Sequence, residues 1–332
     1  MRRLLPLALL LAAACGKSSQ PLPVAPTTPT PVPTTPSVPA QPQTYTLSGR
    51  VLATTTGSPL AGITVTLDER TTTTADGGVF SFESPESVAS APPRVKLDGA
   101  GIVPRSFSLV PLLSRQVVLD AIPTGGGFDP EFYRRFVRDT YDNPGLVRSL
   151  RRWTVAPRVY LKTVDEAGRP IDTTTLETVA AALVDDATAW TGGRFGIASV
   201  ERGTESREGV SGWLTVKWPS QLDPTVCGRA QVATDGGWIE LYGHTAGCEC
   251  RSSRVGAGTV RHELGHAMGF YHTGDKHDIM FGTALCGGDQ RASDRERLHA
   301  AIAYSRAVGN TDPDNDPTNR LFSVPMPVVV VN

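Results

Sequence analysis

The stretch His262-Glu263-Leu264-Gly265-His266-Ala267-Met268-Gly269-Phe270-Tyr271-His272 gathers three histidines and one glutamate into one short segment. Side chains four apart on an α-helix share a face, so His262 and His266 point the same way and can bind one metal ion through imidazole nitrogen. Glu263 lies beside them, placed to hold a water rather than to ligate the metal. Gly269 lets the chain leave the helix through a positive φ, which a residue with a Cβ resists. That bend brings His272 round as a third ligand. Three neutral imidazoles with one position left for water make the catalytic type of zinc site, not the closed structural type. The helix that must carry them has its apolar positions in Thr259-Val260, Leu264, Ala267 and Met268, with Gly256 and Gly258 before it.

The full pattern, with Met280 downstream in Thr273-Gly274-Asp275-Lys276-His277-Asp278-Ile279-Met280, resembles the signature of metzincin metalloendopeptidases, and most closely the matrixin branch. In matrixins the third histidine is also followed by a small hydroxyl residue and, at this spacing, by the methionine. Phe281-Gly282-Thr283 stands where matrixins usually carry a proline soon after it. The resemblance implies an α+β catalytic domain: a twisted mixed sheet, the active-site helix, a Met-turn with Met280 as an apolar floor beneath the zinc, and a C-terminal helix. It implies zinc-assisted hydrolysis of a peptide bond, with zinc on His262, His266 and His272 and with Glu263 as the general base. Phe281 to Cys286 would wall the pocket for the residue after the cleaved bond.

The chain order fits that scaffold. Asp129 to Tyr141 reads as a helix with Asp129 as N-cap and Pro130 in its first turn. Arg134, Arg135 and Arg138 form a basic face on it, expected to be solvated. Arg158 to Val164 reads as a strand. Thr173 to Trp190 reads as a helix with Leu176, Val179, Ala180, Leu183 and Ala187 on one face, ended by Gly192-Gly193. Phe195 to Val200 and Trp213 to Trp218 read as two further strands. Trp238, Ile239, Glu240, Leu241 and Tyr242 alternate as the last strand before the active-site helix. By resemblance this strand edges the cleft and pairs with extended substrate. A helix over about 294 to 308 opens on Ser293 with Glu296 three residues on, a capping box. His244 and His277 lie outside the ligand pattern and read as surface histidines.

A length of 332 residues fits about two domains, and a net charge of −1 gives no reason to propose nucleic acid as a partner. Arg2-Arg3, then the apolar run Leu4 to Ala14, then Cys15 resemble a bacterial lipobox, with residues 1–14 as signal peptide and Cys15 as the acylated first mature residue. Ordinary cleavage after Ala12-x-Ala14 is the competing reading. Two acyl chains on Cys15 would anchor the protein stably to a membrane, which makes it extracytoplasmic. Residues 15–43, rich in Pro and Thr, form an extended tether. Setting Cys15 aside leaves Cys227, Cys248, Cys250 and Cys286, which allow two disulfides in an oxidising compartment. Cys248 and Cys250 flank a single residue and suit each other poorly, so Cys227 and Cys286 are each expected to take one of them.

Residues 44–122 show period-two alternation broken by Gly, Pro and Asp turns, the pattern of a small antiparallel β-sandwich. The order Gly49-Arg50-Val51, then Pro59-Leu60-Ala61-Gly62, then Thr74-Ala75-Asp76-Gly77 with Phe80 resembles carboxypeptidase-regulatory-like modules. Residues 123–127 read as a Gly-rich joint, 128–310 as the protease domain and 311–332 as a tail. Asp312, Asp314 and Asp316 stand at alternate positions as in a calcium loop, but Pro317 replaces the required Gly and no Glu completes it, so a Ca²⁺ site has no support. Val328 to Val331 reads as a final strand. The expected partners are a protein or peptide substrate and the membrane. The rival functions are a non-catalytic surface-binding lipoprotein on a protease fold and a zinc amidase acting on cell-wall peptide.

Overall fold

The computed structural model describes residues 44–45, 47–82, 86–87, 93–109, 116–220, 226–242, 255–282, 290–318 and 321–322. These residues fall within one compact unit, Pro42–Asn332. The first part is all β: β1 (Thr44–Tyr45), β2 (Ser48–Ala53), β3 (Thr64–Leu67), β4 (Arg70–Thr73), β5 (Val79–Ser81), β6 (Glu86–Ser87), β7 (Arg94–Asp98), β8 (Arg105–Leu109) and β9 (Gln116–Ala121). Then come α1 (Pro130–Arg138), β10 (Arg158–Lys162), α2 (Thr173–Trp190), β11 (Ser199–Gly203), β12 (Trp213–Lys217), β13 (Gly228–Ala230), β14 (Trp238–Leu241), α3 (Ala257–Met268), α4 (Asp294–Tyr304) and β15 (Leu321–Phe322).

Two sheets, ordered β5-β2-β9 and β15-β8-β7-β3-β4, enclose a core of Val51, Val65, Leu67, Phe80, Val95, Leu97 and Phe107. The alternation explains the layering. In β7, Val95 and Leu97 face inward while Lys96 and Asp98 face water. The second core belongs to the helical part. Its sheet runs β11-β10-β12-β14-β13, with β10, β11, β12 and β14 parallel and β13 antiparallel at one edge. Helices α2 and α3 pack together, and Trp190, Phe136 and Phe270 fill the space beneath them, the last two rings stacked at 4.3 Å.

Helix α2 spans the expected residues, and Leu176, Val179, Leu183 and Ala187 are buried, with Ala180 half-buried. The strand expected from Phe195 starts at Ser199 instead. Phe195 is held in the turn after α2, where the Thr191 hydroxyl donates to Phe195 O at 2.5 Å. The last helix stops at Tyr304 rather than near 308, and Arg306 just beyond it turns inward.

The basic face expected on α1 is corrected at Arg138, while the Arg134 and Arg135 side chains stay 40% and 43% exposed. Arg138 is fully buried, donating to Asn310 O at 2.8 Å and to Asn310 Oδ1 at 2.7 Å. Arg134 forks onto Asp312 through two hydrogen bonds of 3.0 Å. The partner is the chain's own C-terminal segment, which folds back across both cores. The Arg306 Nε hydrogen-bonds both Asp314 oxygens at 2.8 Å, one Nη reaches Asp120 at 2.6 Å, and the other reaches Thr54 at 2.9 Å. Arg105 pairs with Asp120 and, at 3.2 Å, with Asp316. Asp312, Asp314 and Asp316 are thus each paired with arginine. Beyond it, β15 adds a parallel strand to β8. The joint at 123–127 is also tied in, with Thr124 N–H donating to Gly101 O at 2.8 Å. Val328 to Val331, the tether and Cys15 lie outside the described residues. No helix among the described residues is long and apolar enough to cross a membrane.

Candidate metal centre

Helix α3 carries His262, Glu263 and His266, and it ends where the sequence places its stop. Gly269 takes φ 119°, and its N–H caps Gly265 O and His266 O. A Cβ at Gly269 would run into Arg151 O, so only glycine lets the chain turn so tightly there. The turn delivers His272 to the two helical histidines. One ring nitrogen from each of the three lies within 4.8 Å of the other two. His266 Nε2 and His272 Nε2 are 3.1 Å apart.

Each ring is oriented from behind. His262 Nδ1 donates to Ile279 O at 2.7 Å, and His266 Nδ1 donates to Phe270 O at 2.8 Å. His272 Nδ1 faces Asp142 Oδ2 at 2.8 Å. A proton on each Nδ1 satisfies these acceptors and leaves three Nε2 lone pairs facing one point. Burial lowers the His262 pKa to about 4 and drives that of His266 well below the usual histidine value, so both rings stay neutral. Neutral imidazole is the form a metal needs.

Glu263 is buried beside these rings, and its Oε2 has no hydrogen-bond partner among the described residues. Burial pushes its carboxyl up to about 8, and a cation alongside would oppose that shift. An orphaned buried carboxyl next to three converging nitrogen donors fits a site made for a metal ion and a water. Two nitrogens held ~2.0–2.1 Å from one tetrahedral zinc lie about 3.3 Å apart, close to the observed His266–His272 separation. An all-imidazole set suits zinc, copper, iron and nickel.

A cleft of ≈ 610 Å³ opens over this group, lined by His262, Glu263, His266 and His272, by Tyr271 and Ile279, and by Gly228, Arg229 and Trp238 from the sheet. Met280 is fully buried with its Sδ against Gly265, where a Cβ would overlap it. Its N–H donates to Glu296 Oε1 at 2.9 Å, and Ile279 N–H donates to Glu296 Oε2 at 3.1 Å. Met280 O accepts from Thr273 N–H at 2.7 Å, which closes the loop between the third histidine and the methionine.

The edge-strand expectation is corrected. Trp238–Leu241 pairs with β12 on one side and with β13 on the other, so it is interior. Among the described residues the cleft-side edge is β13, Gly228–Ala230. Trp238 still lines the cleft; Ile239 and Leu241 are buried in the core, and the Tyr242 hydroxyl donates to Glu240 at 3.3 Å. His277 is exposed and bonded to Asp275, as a surface histidine would be. His244, Cys248, Cys250 and most of the loop from Phe281 to Cys286 lie outside the described residues. Three contributors had no assigned part in the sequence reading of the site: Asp142, Gly228 and Glu296. Only Glu296 carried a signal, its capping box, and that signal spoke of a helix start rather than of the metal loop.

No protein-family model matches the chain, and no curated protein matches it. Solved structures do match. A Bacteroides fragilis NCTC 9343 protein named as membrane-associated and of unknown function is 15% identical, with TM-score 0.21 over 45% of this chain. The match spans 51%, about half, of that protein's length. Metalloproteinase-II from Bacteroides fragilis is 10% identical, with TM-score 0.29 over 77% of this chain and 84% of its own. At these TM-scores neither likeness carries an argument about fold or function, which rests on the site itself.

Proposed function

We propose that the chain is a zinc-dependent metalloendopeptidase, metzincin-like and closest to matrixins, acting on extracellular or cell-surface proteins from a lipid anchor at Cys15. The observation that carries this reading is the convergence of three oriented imidazoles beside a buried, unpartnered carboxylate in an open cleft. His262, His266 and His272 would hold the ion. When bound, the ion supplies Lewis acidity to the scissile carbonyl and acidity to the attacking water.

The remaining work falls to the chain. Glu263 takes the proton of the attacking water and returns it to the departing amine nitrogen. Glu263 lines the cleft beside the three histidines, where a water held between them would meet its carboxylate. Peptide backbone would be held by strand addition along β13, Gly228–Ala230, the cleft-side edge among the described residues, rather than along β14. The Met280 side chain would form the apolar floor beneath the ligands.

The test is zinc content of the purified chain together with cleavage of an unfolded protein substrate. One zinc per chain, with cleavage lost in Glu263→Ala and zinc retained, is the expected result. His266→Ala should lose both. Full cleavage by Glu263→Ala would refute the assigned role, and absence of zinc would refute the metal site and leave the surface-binding reading.

A further inference from the structure

Three partners hold the three Nδ1 atoms, and they are not alike. Two are backbone carbonyls within the motif's own neighbourhood, Phe270 O and Ile279 O. The third is a side-chain carboxylate, Asp142, which lies 130 residues away in sequence and bonds His272 Nδ1 at 2.8 Å. His272 is the ligand with the least support of its own. It stands past the helix end, beyond the Gly269 turn, and its side chain is 27% exposed. His262 and His266 are fixed by the helix, whereas His272 needs something else to aim it.

The loop that brings Asp142 there is well fastened. Asp139 closes α1 in the left-handed region, with φ 64°. Its carboxylate accepts from Asn143 Nδ2 at 2.9 Å and from Arg148 Nε at 2.5 Å. Arg148 N–H donates to Arg138 O at 3.0 Å, and Leu146 N–H donates to Asn143 O at 2.9 Å. The Tyr141 ring lies over two glycines beside the site. A Cβ on Gly274 would sit 2.9 Å from it, and one on Gly282 would sit 3.4 Å from it. Tyr271 N–H, adjacent to His272, donates to Phe136 O of α1 at 2.8 Å. The end of α1 and its following turn therefore hold both the backbone and the ring of the third ligand.

We infer that Asp142 is a positioning residue of the metal centre: its carboxylate holds His272 with the proton on Nδ1 and the Nε2 lone pair aimed at the ion. This rests on the zinc-site reading above and deepens it. A carboxylate behind a ligating imidazole fixes tautomer and ring angle, and it strengthens the ring as a donor. A backbone carbonyl does the first but carries no net charge for the second. Nothing in the sequence around Asp142 marks it, because the pairing exists only when the turn after α1 docks on the loop past α3.

The experiment measures zinc affinity by chelator competition on the full chain, for the wild type and for Asp142→Ala, Asp142→Asn, Val147→Ala and His266→Ala. Removing such an orienting carboxylate typically weakens metal binding ~10–100-fold, which is the loss expected in Asp142→Ala. Asp142→Asn should fall between it and the wild type, because its amide oxygen still accepts the Nδ1 proton without the charge. Val147→Ala, an exposed position after the same turn, should bind zinc as the wild type does. The metal-free melting temperature of Asp142→Ala should stay at the wild-type value, since Asp142 is 44% exposed and leaves no buried charge behind. Wild-type zinc affinity in Asp142→Ala would overturn the proposal, as would an equal loss in Val147→Ala. Failure of the zinc-site reading looks different: there the wild type and His266→Ala would bind zinc equally poorly.

Discussion

Replacing Arg306 with Met is the perturbation with the largest expected effect away from the metal site. Arg306 is fully buried and bonds Asp314 twice, Asp120, Thr54 and the Ser305 hydroxyl. Methionine keeps much of the volume and removes the charge, which leaves Asp120, Asp314 and Asp316 to share Arg105. Breaking a buried ion pair by removing one partner costs about 3–5 kcal/mol, because the other charge stays desolvated. For a unit of this size 1 kcal/mol moves Tm by ~2–4 °C, so the loss should be roughly 6–20 °C. The same residue ties Thr54 and Asp120 of the sandwich to Asp314 of the tail, so its removal should also uncouple the two cores. The assay can see that. All 5 tryptophans lie at or after Trp153, none in the sandwich, so their fluorescence follows the helical part while far-ultraviolet dichroism follows both. In the wild type the two probes should give one transition; in Arg306→Met they should separate. Lowering the pH should shrink the deficit. Burial already holds the Asp314 carboxyl above the usual range, and without Arg306 it takes up a proton more readily. A variant within 1 kcal/mol of wild type at pH 7.5, with coincident probes, would refute the reasoning.

Gly228→Ala places a Cβ 2.6 Å from Glu263 Oε1, so the carboxylate must move; the expected result is a fall in kcat of at least ~10-fold with zinc content unchanged, and a wild-type kcat would count against Glu263 working from its present position. His299 donates from Nδ1 to Arg295 O at 2.7 Å and accepts Asp129 N–H on Nε2 at 2.9 Å, so the native ring is neutral and its pKa is lowered, burial first. Because the unfolded ring takes a proton below about pH 6.5 and the folded one does not, this part of stability is intact above that pH and is lost as pH falls through it, by up to ~1.4 kcal/mol per unit. His299→Gln should flatten that slope in denaturation curves between pH 5 and 7, and an unchanged slope would show that the ring titrates freely.

What the sequence made legible was local. Two ligands four apart on a helix, a glycine that must turn the chain and a capping serine each act within a few residues of where they stand. Those features led to the donor set, to α2 and to the start of α4. The α2 stripe from Leu176 to Ala187 was readable because helical period and burial coincide there. The strand at Trp238 was readable as a strand for the same reason, but its neighbours were not. Alternation says that one face is buried and is silent on which strands lie either side. β13 is Gly-Arg-Ala, too short to carry any alternation, so the edge passed unnoticed.

Charge was the least legible feature, because a buried charge is tolerated only through partners that sequence distance hides. Arg134 and Arg138 look solvated on a helical wheel, yet Arg134 meets Asp312 178 residues later and Arg138 meets Asn310 172 residues later. Glu296 marks the boundary between the two cases. Its capping box with Ser293 is readable from four residues, and the structure builds it, with Ser293 N–H donating to Oε2 at 2.7 Å. The same two oxygens also receive the N–H groups of Ile279 and Met280. Ile279 in turn presents its carbonyl to His262. One carboxylate thus starts the last helix and fixes the loop whose carbonyl orients His262. The cap could be read locally, whereas its reach to His262 exists only after the Ile279–Met280 turn has docked on the start of α4.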